Sequence, residues 1–194
     1  QNKKPVYLFR LYIGTISVLF NKKSLDLHIM QFSPYASLLL LSSLVSIALA
    51  GYASHRIHDK VMRSFLYLMT GVFCWSFSYF LESVSSSVIF KLFWSVISVI
   101  DLVVPVFFLF FVLQFTRTSD RIPPIMFYSL LIIPCISLFL SATFPFHGLV
   151  WPEIYLIHTF FAGFSLVYIH GAWYWVEIMY SFLLYFTAAG ILLK

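Results

Sequence analysis

The chain has 194 residues, of which 61% are hydrophobic, 21% aromatic and only 10% charged, and its formal net charge is +5. A soluble domain usually carries about 25% charged residues, so this sequence has too little polar surface for a water-soluble globule. Its Lys and Arg residues lie in short patches near the ends of long apolar stretches, which is typical of membrane topology signals and not of nucleic-acid binding. The composition therefore predicts an integral membrane protein.

Residues 1–30 differ from the rest of the chain. Basic residues flank Leu11–Phe20, an apolar run that is too short to cross a bilayer. No small-x-small cleavage site of a signal peptide follows it. We interpret this N-terminal extension either as an interfacial amphipathic helix or as sequence ahead of a natural start at Met30.

Residues 31–194 are predicted to form one transmembrane domain. Five apolar stretches, each about long enough for a helix that crosses a ~30 Å hydrocarbon core, cover residues 34–53, 64–81, 92–115, 122–143 and 172–193. Ser33 is predicted to cap the first helix, with Pro34 in its first turn. The predicted fold class is all-α, a polytopic transmembrane helix bundle.

Two prolines lie inside apolar stretches, Pro105 in the third and Pro134 in the fourth. Each removes one hydrogen bond from its helix and is expected to kink it. Because a carbonyl that is freed in lipid needs a partner, we expect both kinks to face neighbouring helices. The alternative is that the kinks serve packing alone and have no function.

Residues 153–170, between the fourth and fifth stretches, favour strands over a sixth span. Two runs rich in β-branched and aromatic residues are separated by Ala162 and Gly163. We interpret this segment as a short external β-hairpin or re-entrant lid.

The distribution of Lys and Arg predicts the orientation in the membrane. Arg56, Lys60 and Arg63 follow the first stretch, and Arg117 and Arg121 follow the third. Both loops are therefore predicted to be cytoplasmic, which places the N-terminal end of the first span and the hairpin outside. The predicted location is the inner (plasma) membrane, with several passes.

Asp101 is the one Asp inside the apolar stretches. A carboxylate near the bilayer centre costs about 2.5–3.5 kcal/mol on insertion scales, so Asp101 is expected to face the bundle interior. It is predicted to be a polar anchor in a ligand pocket or a protonation switch. A plain hydrogen bond to Ser, Thr or Tyr of a neighbouring span is the alternative interpretation.

A second set of candidates lies near the predicted outer ends of the second, third and fifth spans. Charged and aromatic side chains at the same depth suggest the mouth of a small-molecule pocket between helices. An interfacial aromatic belt with snorkelling charges is the alternative. The ligand-binding or switch candidates are, together with Asp101, the residues Glu82, Lys91, Trp94, Trp173, Trp175 and Glu177.

No enzyme motif is present: the sequence lacks GxSxG, HExxH, a P-loop and a Gly-rich dinucleotide turn. His147, His158 and His170 have no spacing typical of a compact metal site. No catalytic residue, cofactor or metal ligand is predicted.

Six short motifs that contain aromatic residues follow one another along the chain. They are Ser-Pro-Tyr-Ala at 33–36, Trp-x-x-x-Tyr-x-Leu-Glu at 75–82, Lys-Leu-x-Trp at 91–94, Phe-Val-Leu-Gln-Phe-Thr at 111–116, His-Gly-Leu-Val-Trp at 147–151 and Gly-x-Trp-x-Trp-Val at 171–176. In this order the chain resembles the N-terminal seven-transmembrane sensor region of bacterial and archaeal histidine kinases. It departs from that family in having five predicted spans and no phosphoacceptor helix or ATP-binding domain.

The resemblance implies a sensory input domain that relays a ligand or membrane condition to a cytoplasmic output domain of the same polypeptide. It also implies a homodimer. The expected partners are the lipid bilayer and a small-molecule or lipid ligand. A transporter or permease subunit would show an inverted repeat with broken helices, which we do not find. A purely structural membrane subunit is the other alternative.

Overall fold

The computed structural model describes residues 33–118, 124–159 and 163–193. Within these residues, five helices are long and apolar enough to cross a membrane: Pro34–Ser54, Lys60–Val84, Val88–Phe115, Ile125–Ala142 and Ala172–Leu192. They coincide with the five predicted stretches, although the second and third begin about one turn earlier. The predicted all-α bundle is confirmed. The N-terminal extension, residues 1–30, lies outside the described residues.

Two of the five spans are interrupted, and a small hairpin precedes the last one. In chain order the elements are α1 (Pro34–Ser54), α2 (Lys60–Val84), α3 (Val88–Ser98), a 3-10 turn (Val99–Leu102), α4 (Val103–Phe115), α5 (Pro124–Leu130), α6 (Ile132–Ala142), α7 (Phe144–His147), β1 (Glu153–Thr159), β2 (Gly163–Ile169) and α8 (Ala172–Leu192).

The first two helices begin with side-chain caps. Ser33 Oγ accepts a hydrogen bond from the Ala36 N–H at 3.1 Å, as predicted, and Pro34 occupies the first turn. Asp59 accepts from the Val61 N–H at 2.9 Å and so caps α2. These caps satisfy N–H groups that have no acceptor within the helix.

Small side chains form the face of α1 that packs on α2. The buried residues of α1 are Ala36, Ser43, Ser46, Ala50 and Ala53. They recur at intervals of three, four and seven residues, which places them on one side of a helix. Small residues allow the two backbones to approach closely, which is how helices associate in lipid. The large side chains of α1, such as Leu38 and Leu41, point away from α2 and are exposed.

Pro105 explains the interruption of the third span. In an unbroken α-helix the N–H of residue 105 would donate to the Asp101 carbonyl, and proline has no N–H. The chain tightens here into the 3-10 turn, and the Val103 N–H approaches the carbonyls of Ile100 and Asp101. Where the sequence predicts a kink at Pro105, the structure has a local 3-10 turn that contains Asp101.

Pro134 interrupts the fourth span, which breaks at Leu131 between α5 and α6. Because Pro134 cannot donate, the Leu130 carbonyl loses its helical partner. The Tyr180 hydroxyl of α8 donates to this carbonyl at 2.5 Å. A neighbouring span thus satisfies the freed carbonyl, as a membrane interior requires.

The predicted β-hairpin between the fourth and fifth spans is confirmed. β1 and β2 pair antiparallel, with Glu153 opposite Ile169 and Leu156 opposite Leu166. The Gly171 N–H donates to the Val150 carbonyl at 2.9 Å, which joins the two ends of the hairpin segment. A Cβ at Gly171 would lie 2.1 Å from the Leu149 carbonyl oxygen, so this close approach requires glycine.

The second span contacts most of the bundle. α2 packs on α1 and on both halves of the third span, while α8 packs on α4 and α6 lies against the 3-10 turn. We call the end of the bundle that carries the hairpin the hairpin end, and the opposite end, with Arg56 and Arg117, the basic end. One apolar cluster (Val106, Leu109, Val112, Leu113, Tyr180, Leu184, Ala188) joins α4 to α8, and another (Val99, Leu102, Val150, Trp151) lies at the hairpin end.

We expect Tyr180→Phe to destabilise the protein by about 1 kcal/mol, because the Leu130 carbonyl would lose its donor in an apolar environment. Thermal unfolding in lipid nanodiscs measures this difference. Tyr128→Phe is the matched control, since the Tyr128 side chain is 64% exposed.

A double-mutant cycle tests the role assigned to Pro134. In a Pro134→Ala background, the new N–H of residue 134 can donate to Leu130, so Tyr180→Phe should then have a smaller effect. An equal loss of stability in both backgrounds would show that the Tyr180 hydroxyl does not compensate for the proline.

Candidate functional site

Lys91 lies on α3 and is 2% exposed. Its Nζ donates to the main-chain carbonyl of Glu82 at 2.7 Å and approaches that of Ser83 at 3.4 Å. Both carbonyls belong to the last turn of α2, where the helix has no N–H groups left to pair them. A cation at this position also interacts favourably with the helix dipole. The Lys91 ammonium therefore caps α2 from the next span.

Glu82 is 8% exposed, and its carboxylate is near enough to this ammonium for the two charges to interact. The Tyr168 hydroxyl donates to Glu82 Oε1 at 3.0 Å, and Ser95 is hydrogen-bonded to Tyr168. Ser95 Oγ also lies 2.8 Å from the Lys91 carbonyl. We call Glu82, Lys91, Ser95 and Tyr168 the Glu82 group. It contains one carboxylate and one ammonium, so its charges balance.

Tyr168 connects the hairpin to the helices. It lies on β2, and its ring centroid is 5.0 Å from that of Trp151. Burial, with a further contribution from the negative charge of Glu82, raises the pKa of Tyr168. The phenol therefore stays protonated and can donate to the Glu82 carboxylate. This contact holds β2 against the second and third spans.

Glu177 lies in the second turn of α8 and is 8% exposed. The Trp173 Nε1–H donates to Ser137 Oγ at 2.9 Å, so the proton of this hydroxyl is available to the adjacent Glu177 carboxylate. Glu177 Oε1 is buried and has no hydrogen-bond partner among the described residues. The fourth and fifth spans thus meet at a carboxylate that is only partly satisfied.

Asp101 lies in the 3-10 turn of the third span and is half-buried. Its charge interacts with that of Glu177, and it also acts on Tyr79 of α2 and Tyr185 of α8. We call Asp101, Glu177, Ser137 and Trp173 the Asp101 group. The group combines side chains from the third, fourth and fifth spans.

Tyr79 lies between the two groups. Its hydroxyl is hydrogen-bonded to Ser98, and the charges of both Asp101 and Glu82 act on it. The Glu82 group and the Asp101 group are therefore neighbours in one polar region at the hairpin end, bounded by four of the five spans and by β2.

The predicted candidates divide into two sets. The structure brings Asp101, Glu82, Lys91, Trp173 and Glu177 into this polar region. It does not bring the other two tryptophans into either group: Trp94 is half-buried against Phe93, and Trp175 is 61% exposed beside Tyr174. Pro105 and Pro134 are both buried and lie next to the helix breaks.

Sequence reasoning missed the hydroxyl groups that surround the charges. Lys91, Ser95 and Ser98 recur at spacings of four and three, and this polar stripe on an apolar helix could have indicated an inward face. Ser137 and Tyr168 offered no such signal, because their partners lie on distant segments of the chain.

The two groups differ in what they can do chemically. Among the described Lys and Arg residues, Lys91 is buried and the others are exposed. The Glu82 group therefore holds its own counter-charge, whereas the Asp101 group has two carboxylates surrounded by neutral hydroxyl, phenol and indole groups. The Asp101 group can therefore accept hydrogen bonds and can bind or release a positively charged species.

We expect Lys91→Met to destabilise the protein by about 3 kcal/mol, because it uncaps α2 and leaves the Glu82 carboxylate without its counter-charge. Urea unfolding in detergent micelles measures the loss. Glu82→Gln in the Lys91→Met background should restore part of the stability. Lys60→Met, at an exposed position of α2, is the control, and equal effects at positions 60 and 91 would contradict the assigned role.

Comparison with known proteins confirms the resemblance seen in the aromatic motifs. A family model described as the N-terminal 7TM region of histidine kinase matches residues 38–194, which include the hairpin and both polar groups. No curated protein and no solved structure matches the chain. Because the match covers most of its length, the chain belongs to the family of N-terminal seven-transmembrane regions of histidine kinases.

Proposed function

We propose that this region is the sensory input of a histidine kinase. A ligand or a membrane condition shifts the packing of the spans at the hairpin end, and the shift passes to a cytoplasmic output domain of the same polypeptide. The observation that carries this proposal is the polar region formed by the Glu82 and Asp101 groups inside an otherwise apolar bundle. Catalysis is assigned to the output domain and not to this region.

A bundle that served only as an anchor would have no need for buried carboxylates. Ionisable side chains are expensive in a membrane interior and usually mark functional sites there. Three of the polar contacts here join two different elements: Lys91 joins α3 to α2, Tyr168 joins β2 to α2, and Trp173 joins α8 to α6. A change at one of these contacts therefore alters the packing of several spans.

A path toward the basic end starts at the 3-10 turn. α4 continues directly from this turn, and it packs against α8 through Val106, Leu109 and Leu184. A displacement of Asp101 relative to Glu177 would move these two helices against each other. For a stimulus to drive such a change, it must bind one arrangement more tightly than the other.

The orientation belongs to the same proposal. The exposed Arg56, Lys60 and Arg63 at the basic end favour the cytoplasmic side of the inner membrane, which places the hairpin outside. The homodimer implied by the family resemblance stays a prediction.

We expect His58→Cys to be protected from a membrane-impermeant maleimide in intact cells and Ile157→Cys to be labelled. Cys74 and Cys135 are replaced by Ser first, since Cys135 is exposed. Both new cysteines should react after the cells are permeabilised, which shows that the sites are accessible. Labelling of His58→Cys in intact cells would contradict the orientation.

We expect Tyr168→Phe to change the autophosphorylation rate of the full-length kinase in lipid vesicles by about fivefold or more. The substitution keeps the ring against Trp151 and removes the hydroxyl that binds Glu82. Tyr155→Phe is the control, because Tyr155 lies on the other strand of the same hairpin and is 43% exposed. Unchanged rates in a well-folded Tyr168→Phe protein would remove the hairpin contact from the signalling mechanism.

A further inference from the structure

We propose that the imidazole ring of His147 is a proton-binding site through which the pH at the hairpin end controls the start of α8. Protonation of the ring breaks one hydrogen bond in the loop between the fourth span and the hairpin, and this loop caps α8. The inference rests on the proposed sensory function only where it links the proton to signalling. The site itself follows from the contacts of His147 and can be tested separately.

Both ring nitrogens of His147 have hydrogen-bond partners. The Leu149 N–H donates to Nδ1 at 3.0 Å, and Nε2 lies 3.0 Å from Thr143 Oγ1. The His147 side chain is exposed, and it follows the end of the fourth span at Ala142. The ring can therefore exchange protons with the aqueous phase at the hairpin end.

These contacts assign the position of the proton on the ring. The Thr143 hydroxyl donates its hydrogen to the Phe139 carbonyl at 2.8 Å, so its oxygen can only accept from His147 Nε2. Nε2 must then carry a proton, and Nδ1 must be unprotonated because it accepts from Leu149. The hydrogen-bond network thus requires a neutral imidazole with its proton on Nε2.

A second proton can bind only at Nδ1, where it would face the Leu149 N–H. Two donors cannot form a hydrogen bond, so this contact is lost when the ring becomes charged. Histidine is the side chain whose ordinary titration falls between about pH 5 and pH 8. Because the contact needs the neutral ring, it is complete at the upper end of this range and is lost as the pH falls.

The contact holds the loop that caps α8. Gly171 precedes this helix, and no side chain caps its first turn. Main-chain carbonyls of the loop do so instead: Leu149 accepts from the Trp173 N–H at 3.0 Å, and Val150 accepts from the Gly171 N–H at 2.9 Å. These bonds satisfy N–H groups that have no acceptor within the helix. Leu149 thus binds His147 through its N–H and α8 through its carbonyl.

The same connection reaches the Asp101 group. Trp173, whose main-chain N–H binds Leu149, donates its indole Nε1–H to Ser137 Oγ at 2.9 Å. Ser137 is fully buried on α6. A chain of hydrogen bonds therefore leads from the exposed ring of His147 to the contact between the fourth and fifth spans. Displacement of Leu149 would disturb this contact through Trp173.

No described Asp, Glu, Lys or Arg side chain is hydrogen-bonded to His147, and residues 122–193 contain no Lys or Arg. The ionisable side chains described on the surrounding elements have partners elsewhere. They are Glu153 and Tyr155, bonded to each other on β1, Tyr168 of β2, bonded to Glu82, His170, stacked on Tyr174, and Glu177 of α8, bonded to Ser137. The response of this loop to pH is therefore assigned to His147.

Hydrogen–deuterium exchange of the full-length kinase in lipid nanodiscs tests the site. The rates of the Leu149, Gly171 and Trp173 amides are measured at about pH 8 and about pH 5 and corrected for the intrinsic effect of pH on exchange. We expect the protection of these amides to fall by about fivefold at the lower pH, which corresponds to the loss of one hydrogen bond. The amides of α2 are the internal reference and should keep their protection.

Two substitutions of His147 separate the proton from other effects of pH. In His147→Asn the side-chain oxygen can accept from the N–H two residues on and does not titrate, so protection should stay high at both pH values. In His147→Leu no acceptor remains, so protection should be low at both. His58→Asn, in the exposed loop at the basic end, is the control and should keep the pH dependence of the wild type.

Two results would overturn the proton site. They are equal protection of the wild-type amides at both pH values, and a pH dependence that persists in His147→Asn. If His147→Leu does not fold, the comparison of the wild type with His147→Asn still decides between the outcomes.

Autophosphorylation assays in lipid vesicles, with the pH changed on the hairpin side, separate this inference from the proposed function. We expect the rate to depend on pH in the wild type and not in His147→Asn. If exchange behaves as expected while His147→Asn leaves the pH dependence of the rate unchanged, the proton site is supported and its link to signalling is wrong. If Tyr168→Phe changes the rate while the amides show no pH dependence, the sensory function is supported and the proton site is wrong.

Discussion

Every polar group inside this apolar bundle has to find its partner within the protein, because lipid offers none. The structure meets this requirement in several ways, although a few buried side-chain oxygens, among them Glu177 Oε1, have no hydrogen-bond partner among the described residues. Ser43 and Ser46 donate to carbonyls of their own helix, at 2.7 and 2.8 Å. Tyr180 reaches a carbonyl of the neighbouring span, and Lys91 caps the preceding helix. The contacts of Tyr180 and Lys91 each join two neighbouring spans, so the arrangement of those spans depends on them.

The two internal prolines show that the same requirement has more than one solution. At Pro105 the backbone tightens into a 3-10 turn, and the adjustment stays within one span. At Pro134 the helix breaks, and a phenol from α8 supplies the donor. The first solution places a carboxylate, Asp101, in the tightened turn. The second links the fourth span to the fifth, the span that carries Glu177.

The two polar groups at the hairpin end play unequal parts. The Glu82 group is balanced in charge, and its contacts fix the end of α2, the start of the third span and β2 relative to one another. The Asp101 group is unbalanced, because its carboxylates come from separate spans and no buried cation among the described residues neutralises them. Under the proposed function, the charge-balanced Glu82 group would be the fixed neighbour against which the Asp101 group moves.

The sequence predicted the elements well. The five spans followed from the length of the apolar stretches, the hairpin from two β-branched runs around a glycine, and the cap at Ser33 from local chemistry. Of the predicted candidates, Asp101, Glu82, Lys91, Trp173 and Glu177 lie in one polar region, and their role in binding or switching stays a prediction. The hydroxyl partners escaped prediction because serine and tyrosine are common in membrane helices, and nothing local distinguishes Ser137 or Tyr168 from the others.

The sequence by itself determined that the chain is a helical membrane protein, where its spans lie and which ionisable residues are costly to bury. These properties depend on hydrophobic length, helix-breaking residues and charge, which are local. The tertiary structure alone decided that Lys91 binds main-chain carbonyls of α2, that Tyr180 compensates for Pro134, and that Glu177 Oε1 is buried with no hydrogen-bond partner among the described residues. These pairings depend on the rotation and order of packed helices, which arise from contacts between residues far apart in the chain.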